Sequence, residues 1–121
     1  MNKGKYNKRR IGNEQEEIAV HFLQAQGMEI VERNFYCSYG EIDIVYRDGR
    51  YLVFGEVKYR KNRSMGSPEE AIQPYKIQRI VRSAQYYLYK KGYHLDTPVR
   101  FDAIVILGTE VYIIKNAFEA G

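Results

Sequence analysis

Apolar positions fall into helical and strand periods in turn along the chain. Ile11, Ile18, Ala19, Phe22 and Leu23 lie on one helical stripe and Gly27 offers a natural stop, which predicts a helix over Gly12–Gln26. "MEIVERNF" then reads as a short strand. "GEIDIVYR" and "RYLVFGEVKYR" are two runs of β-branched and aromatic residues around Asp48-Gly49, a pair suited to a type I′ hairpin turn. After the polar stretch "YRKNRSMG", Ser67-Pro68-Glu69-Glu70 joins an N-cap, a first-turn proline and a capping-box glutamate, so a helical turn is expected there before Pro74 interrupts it. Beyond Pro74, Ile77, Ile80, Val81, Ala84, Tyr87 and Leu88 form the apolar stripe of a longer helix ending at Gly92, with Lys76, Arg79 and Arg82 on a neighbouring face. "VRFDAIVIL" and "VYIIKNAF" close the chain as strands. The order α-β-β-β-α-β-β predicts an α/β or α+β domain with one central sheet flanked by helices.

The hairpin carries charges where strands seldom do. A turn at Asp48-Gly49 would set Arg47 against Arg50, Val45 against Leu52, Asp43 against Phe54 and Glu41 against Glu56. One face, from Ile42 and Ile44 through Val53, Gly55 and Val57, is then apolar throughout. The other is apolar near the turn (Val45, Leu52, Phe54) and charged at the far end (Glu41, Asp43, Glu56, Lys58). That division predicts a face covered near the turn and opening into a cleft at its charged end. Asp43 and Glu56 become diagonal neighbours, roughly 7–8 Å apart between backbones. Exposure to water, a shared proton or a bridging cation would each offset their repulsion. With a hard cation such as Mg²⁺, the arrangement suits phosphodiester hydrolysis, the metal polarising a phosphate while Lys58 orients a water or offsets phosphate charge. Cross-strand ion pairs on an exposed sheet face account for the same four residues. A bulge at Gly55 would shift this register.

Composition narrows the partners. At 121 residues and 45% hydrophobic, the chain is sized for one core-bearing domain over residues 11–121. Residues 1–10 hold five basic residues and no acidic one, as expected of a flexible basic arm. The net charge is only +4, but nine Lys or Arg against two Glu lie between Val57 and Tyr93, a regional charge that attracts polyanions, phosphate backbones first among them. Cys37 is the single cysteine and no apolar run resembles a leader or a membrane span, so a reducing, cytoplasmic setting is expected. His21, His94 and Cys37 lack the spacing for zinc or thiol chemistry.

Asp43, followed after twelve residues by Glu56-Val57-Lys58, resembles the PD-(D/E)XK nuclease signature. A wider set of stretches resembles the YraN family of small bacterial proteins, which are classed as endonucleases and distantly similar to archaeal Holliday-junction resolvases. These are the helix with Glu16, Ala19 and Leu23, then Gly27, Asn34, "GEIDIV", "VFGEVKYR", "GSPEEAI", Lys76 and "RFD". The resemblance covers almost everything after the basic arm. It implies a restriction-endonuclease-like core with a central mixed sheet, Asp43 and Glu56 binding Mg²⁺ or Mn²⁺, Lys58 assisting catalysis, and Glu16 as a further carboxylate. Ile42 stands where the superfamily signature has proline, a feature YraN-like sequences share. The implied function is metal-dependent hydrolysis of DNA, including branched or structured DNA. A non-catalytic nucleic-acid-binding accessory protein with the same fold is the alternative.

Around that set, Arg60, Lys61 and Arg63 directly follow the Glu-x-Lys strand, and Lys76 and Arg79 lie one turn apart on the next helix, all suited to phosphate contacts, with Gln73 just before that helix also able to reach the site. A solvated basic loop accounts equally for the first three. Glu41 and Asp102 are expected to support the site from behind, Asp102 either by buttressing the cleft or by pairing with Arg100. Glu16, like Glu14 and Glu17, also suits a helix dipole. Tyr86, Tyr87, Tyr89 and Tyr93 could stack on bases, form a homodimer surface or fill the core.

Overall fold

The computed structural model describes residues 3–62, 64 and 73–119, with side chains from residue 14 onward. Its elements run α1 (Lys3–Ala25), β1 (Glu29–Cys37), β2 (Gly40–Asp48), β3 (Tyr51–Arg60), α2 (Pro74–Lys90), β4 (Val99–Leu107) and β5 (Glu110–Ile114). This is the expected order, and the fold is α/β with a mixed sheet. The backbone of residues 3–10, read from composition as an arm, continues α1. The helical turn expected at Ser67 lies outside the described residues. Among the described residues, no helix is long and apolar enough to cross a membrane.

The sheet order is β1-β2-β3-β4-β5. Short turns join β1 to β2, β2 to β3 and β4 to β5, and each of these pairs is antiparallel. β3 and β4 are joined through α2 and pair in parallel, as a crossover connection requires. Helices cover both faces. Ala19, Val20 and Leu23 of α1 pack on Ile44, Tyr46, Val53 and Ile104, while Ile80, Val81, Ala84 and Tyr87 of α2 pack on Val45, Leu52, Phe54 and Phe101. A strand covered on both faces reads as a continuous apolar run, and β4 is buried without a break from Phe101 to Ile106.

Three expectations change. The buried stripe of α1 is Glu16, Ala19, Val20 and Leu23, while Ile18 faces solvent at 42% exposure. A glutamate inside the stripe hides its phase from a reading based on hydrophobicity. Gly55 is no bulge, because it pairs regularly with Ile44. It is glycine because a Cβ there would stand 2.7 Å from Ile104 Cδ1 and 2.9 Å from Tyr46 Cε1. The hairpin loop is Gly49-Arg50, with Asp48 opposite Tyr51. Only Gly49 of the two has positive φ, at 59°, which rules out type I′. Asp48 stays in the strand because Arg100 (2.7 Å) and Lys115 (3.3 Å) hold its carboxylate from β4 and the segment after β5.

Candidate active site

Moving the loop by one residue moves the register by two, and two is the period of a strand. Glu56 and Lys58 therefore keep the face that the sequence assigned them, while their partners change. The ladder runs Asp48–Tyr51, Arg47–Leu52, Tyr46–Val53, Val45–Phe54 and Ile44–Gly55, and ends there. One step further, the same frame sets Asp43 level with Glu56 rather than diagonal to it. Beyond Ile44–Gly55 a side chain takes over from the backbone, and the Val57 N–H donates to Asp43 Oδ2 at 2.8 Å. The strands fork at the point where the acids meet.

A left-handed residue shapes the fork from the other side. Asn34 adopts φ 54°, a region Asn enters far more readily than most residues. In a regular strand, Arg33 and Asn34 would point to opposite faces. Here both reach the same carboxylate: Arg33 Nε donates to Glu16 Oε1 at 2.7 Å and Asn34 Nδ2 to the same oxygen at 2.8 Å. The strand's facing changes there, so that Phe35 and its partner Ile42 pack on the α2 side, although Ile44 packs on the α1 side. The expectation that Ile42 shares a face with Ile44 is corrected by this twist. Glu16, 7% exposed, is tolerated in the helix's buried stripe because these donors satisfy it.

Glu56 is 6% exposed. Lys58 Nζ lies 3.4 Å from its Oε1, and Lys76 Nζ, from the first turns of α2, contacts the same oxygen. Burial and the nearby charge of Glu56 push the Asp43 carboxyl up from 3.8 to about 7, against the Val57 hydrogen bond, which lowers it. Burial holds the Lys58 ammonium below its ordinary range, with the Lys76 contact acting in the same direction and Glu56 opposing. Lys76 lies above its range, since its bonds and attraction to Glu56 outweigh burial. The exposed Tyr36 phenol is raised chiefly by Glu41, which faces it across β1 and β2, with smaller contributions from burial and from Glu16 and Asp43.

The structure thus brings together Asp43, Glu56, Lys58 and Lys76, while Arg33 and Asn34 hold Glu16 on α1. Among the described residues, no three His, Cys, Asp or Glu side chains converge as a ready metal cage. Asp102 is elsewhere. Fully buried, it accepts from Tyr46 Oη (2.6 Å), Arg100 Nε (2.8 Å) and the Asn116 N–H (2.9 Å), a network tied through Arg100 to Asp48 at the hairpin loop. Of its two expected roles, it takes the pairing with Arg100. Arg79 Nε donates to Tyr39 O at 2.8 Å and Nη1 to Tyr75 Oη at 2.9 Å, which ties α2 to the β1–β2 turn. Arg60 turns back onto Tyr59 O, Lys61 and Gln73 face solvent, and Arg63 lies outside the described residues. Sequence reasoning missed Arg33 altogether and placed Lys76 with the phosphate contacts rather than on Glu56. An Asn inside a strand pattern was the available signal for the twist.

Comparison with known proteins places the chain in a family. A family model described as "Uncharacterised protein family UPF0102" matches residues 15–106, which contain Glu16, Asp43, Glu56, Lys58 and Lys76. A UPF0102 protein of Lachnoclostridium phytofermentans is 49% identical over 114 residues, spanning 94% of this chain and 97% of the relative. One from Geotalea daltonii is 45% identical over 96% and 94% of the two chains, and one from Vibrio vulnificus 38% identical over 98% and 99%. With a match that runs from within α1 through α2 and into β4, the chain belongs to the UPF0102, or YraN, family.

Proposed function

We propose that the protein is a divalent-cation-dependent endonuclease that hydrolyses phosphodiester bonds in DNA, branched or structured DNA included. The observation that carries this reading is the Asp43–Glu56 pair, two acids drawn together at the strand fork with lysines from two elements beside them. Burial and mutual repulsion disfavour the doubly ionised pair, as the raised Asp43 carboxyl records. A hard cation relieves that repulsion, and carboxylate oxygens are the donors Mg²⁺ and Mn²⁺ prefer, so the residues fit such an ion. Asp43 and Glu56 would hold it, with Glu16 as the further carboxylate. Bound there, the ion supplies phosphate polarisation and a more acidic water.

The chain's own groups do the remainder. The Val57 N–H fixes the Asp43 carboxylate, and Arg33 with Asn34 orients Glu16. Lys58, with 11% of its side chain exposed, places a cation in a low-dielectric rim where it acts on a phosphate oxygen or an attacking water far more strongly than it would in bulk solvent. Lys76 holds a second positive charge at the same carboxylate.

A second reading is a nucleic-acid-binding accessory protein without catalysis. It is favoured by the two lysines that already neutralise Glu56 and by the lack of a three-ligand cluster among the described residues. Labelled duplex, junction, flap, single-stranded DNA and RNA incubated with Mg²⁺ or Mn²⁺ separate the two. Cleavage by the wild type that is lost in Glu56→Gln and Lys58→Ala while binding persists supports the enzyme. Salt-sensitive binding with no cleavage under any condition supports the accessory role.

A further inference from the structure

Helix α2 begins at the candidate site with Lys76 and carries an aromatic and basic stripe away from it. Tyr75, Arg79, Arg82, Tyr86 and Tyr89 are separated by four, three, four and three positions, the spacing that keeps side chains on one narrow face of a helix. That face is opposite to what a core would use: Tyr75 is 67% exposed and Tyr89 84%, while Arg79 and Arg82 are also exposed. The buried side of the same helix holds Ile80, Val81, Ala84 and Tyr87, and Tyr87 lies edge-on to Phe35 and Phe54, so only part of the tyrosine cluster belongs to the core. Tyr39, from the β1–β2 turn, adds its ring beside Tyr86 at 6.3 Å. Arg82, Tyr86, Tyr89, Gln85 and Tyr39 line a recess of about 430 Å³.

We propose that this stripe is a docking track for a single-stranded nucleic-acid segment that leads to or from the strand fork. The inference rests on the nucleic-acid reading above and adds to it the form of the bound strand. Tyrosine rings exposed to water offer faces on which unpaired bases stack, and a duplex keeps those base faces covered. The guanidiniums between the rings supply the phosphate contacts. Arg82 has no partner among the described residues, and Arg79 is held in place by Tyr39 and Tyr75. From Tyr75 to Tyr89 the helix rises about 21 Å, the length of about six nucleotides stacked at ~3.4 Å each. A second copy of the chain is a poorer occupant. Two-fold antiparallel packing on this stripe would bring its central residue, Arg82, against Arg82 of the other copy, setting like charges together.

The test is fluorescence anisotropy in EDTA, which prevents cleavage, with a labelled single strand of about twelve nucleotides, twice the span of the track, and the matching duplex. Tyr75→Ala and Tyr89→Ala remove exposed rings, so circular dichroism should be unchanged. Each is expected to weaken single-strand binding about 5- to 150-fold, the range of one lost stacking contact, and duplex binding by less than about twofold. Arg82→Gln should reduce the slope of log K against log salt by about 0.7 on the single strand. Equal losses on both substrates, or unchanged single-strand affinity, overturn the proposal while the nuclease reading stands. Dissociation of a wild-type dimer by Tyr89→Ala in sedimentation, without an effect on single-strand affinity, assigns the stripe to self-association instead. Failure of the wild type to bind any nucleic acid removes both readings together.

Discussion

Asp43→Asn should stabilise the protein, and increasingly so as the pH rises. The wild-type carboxyl is raised from 3.8 to about 7 by burial and by the charge of Glu56. A carboxyl whose folded value lies above its unfolded value keeps its proton more tightly in the folded state. Stability is therefore undiminished below the unfolded value, and is lost as the pH climbs from about 4 to about 7, after which the loss is complete. At about 1.4 kcal/mol per tenfold difference in proton affinity, the loss amounts to roughly 1.5 kcal/mol at pH 5 and roughly 4 kcal/mol at pH 8. Asparagine cannot ionise, and its side-chain oxygen still accepts the Val57 N–H at the strand fork. The variant's advantage over wild type should thus grow by roughly 2.5 kcal/mol between pH 5 and pH 8. Urea unfolding at the two pH values in EDTA measures this directly, with the m-value checking that the same surface is exposed. Millimolar Mg²⁺ added at the higher pH should narrow the difference by stabilising the wild type. A difference independent of pH would refute the repulsive pairing of Asp43 with Glu56, and with it the electrostatic argument for a cation.

Two further outcomes test the scaffold that holds the fork. Gly55→Ala drives a methyl group to 2.7 Å from Ile104 Cδ1 and 2.9 Å from Tyr46 Cε1, and should lower stability by about 1–3 kcal/mol in thermal or urea unfolding. Arg100→Ala strips the cation from the fully buried Asp102 and leaves Asp48 only Lys115, and should cost about 3–5 kcal/mol. Since Arg100 is bonded to Asp48 and Asp102 rather than to the Asp43–Glu56 pair, any nuclease activity of the folded fraction should persist in Arg100→Ala.

How much of this could be read in advance differs from element to element, for physical reasons. The strands, α2 and the faces of β3 follow from short-range periodicity, and the facing of Glu56 and Lys58 survived a wrong turn because the resulting slip was two residues, the period of a strand. The buried face of α1 was misjudged because its stripe includes Glu16, a residue that hydrophobic patterning sets aside. What made that burial tolerable, the paired donors of Arg33 and Asn34, sits seventeen and eighteen residues away in sequence.

The amino-acid sequence by itself determined the order of elements, the two apolar surfaces that the helices cover, and the placing of Asp43, Glu56 and Lys58 on β2 and β3, because periodicity and local motif are properties of neighbours along the chain. Tertiary structure alone decided the register of the hairpin, the reversal at Asn34, the place of Lys76 on Glu56 and the assignment of Asp102 to Arg100. Each of these is settled by a contact between distant segments. An ion pair from β4 and beyond holds Asp48 in its strand, and the packing of α2 across the sheet carries Lys76 to the fork. Such contacts have no local signature, because their energy exists only once the chain has folded back on itself.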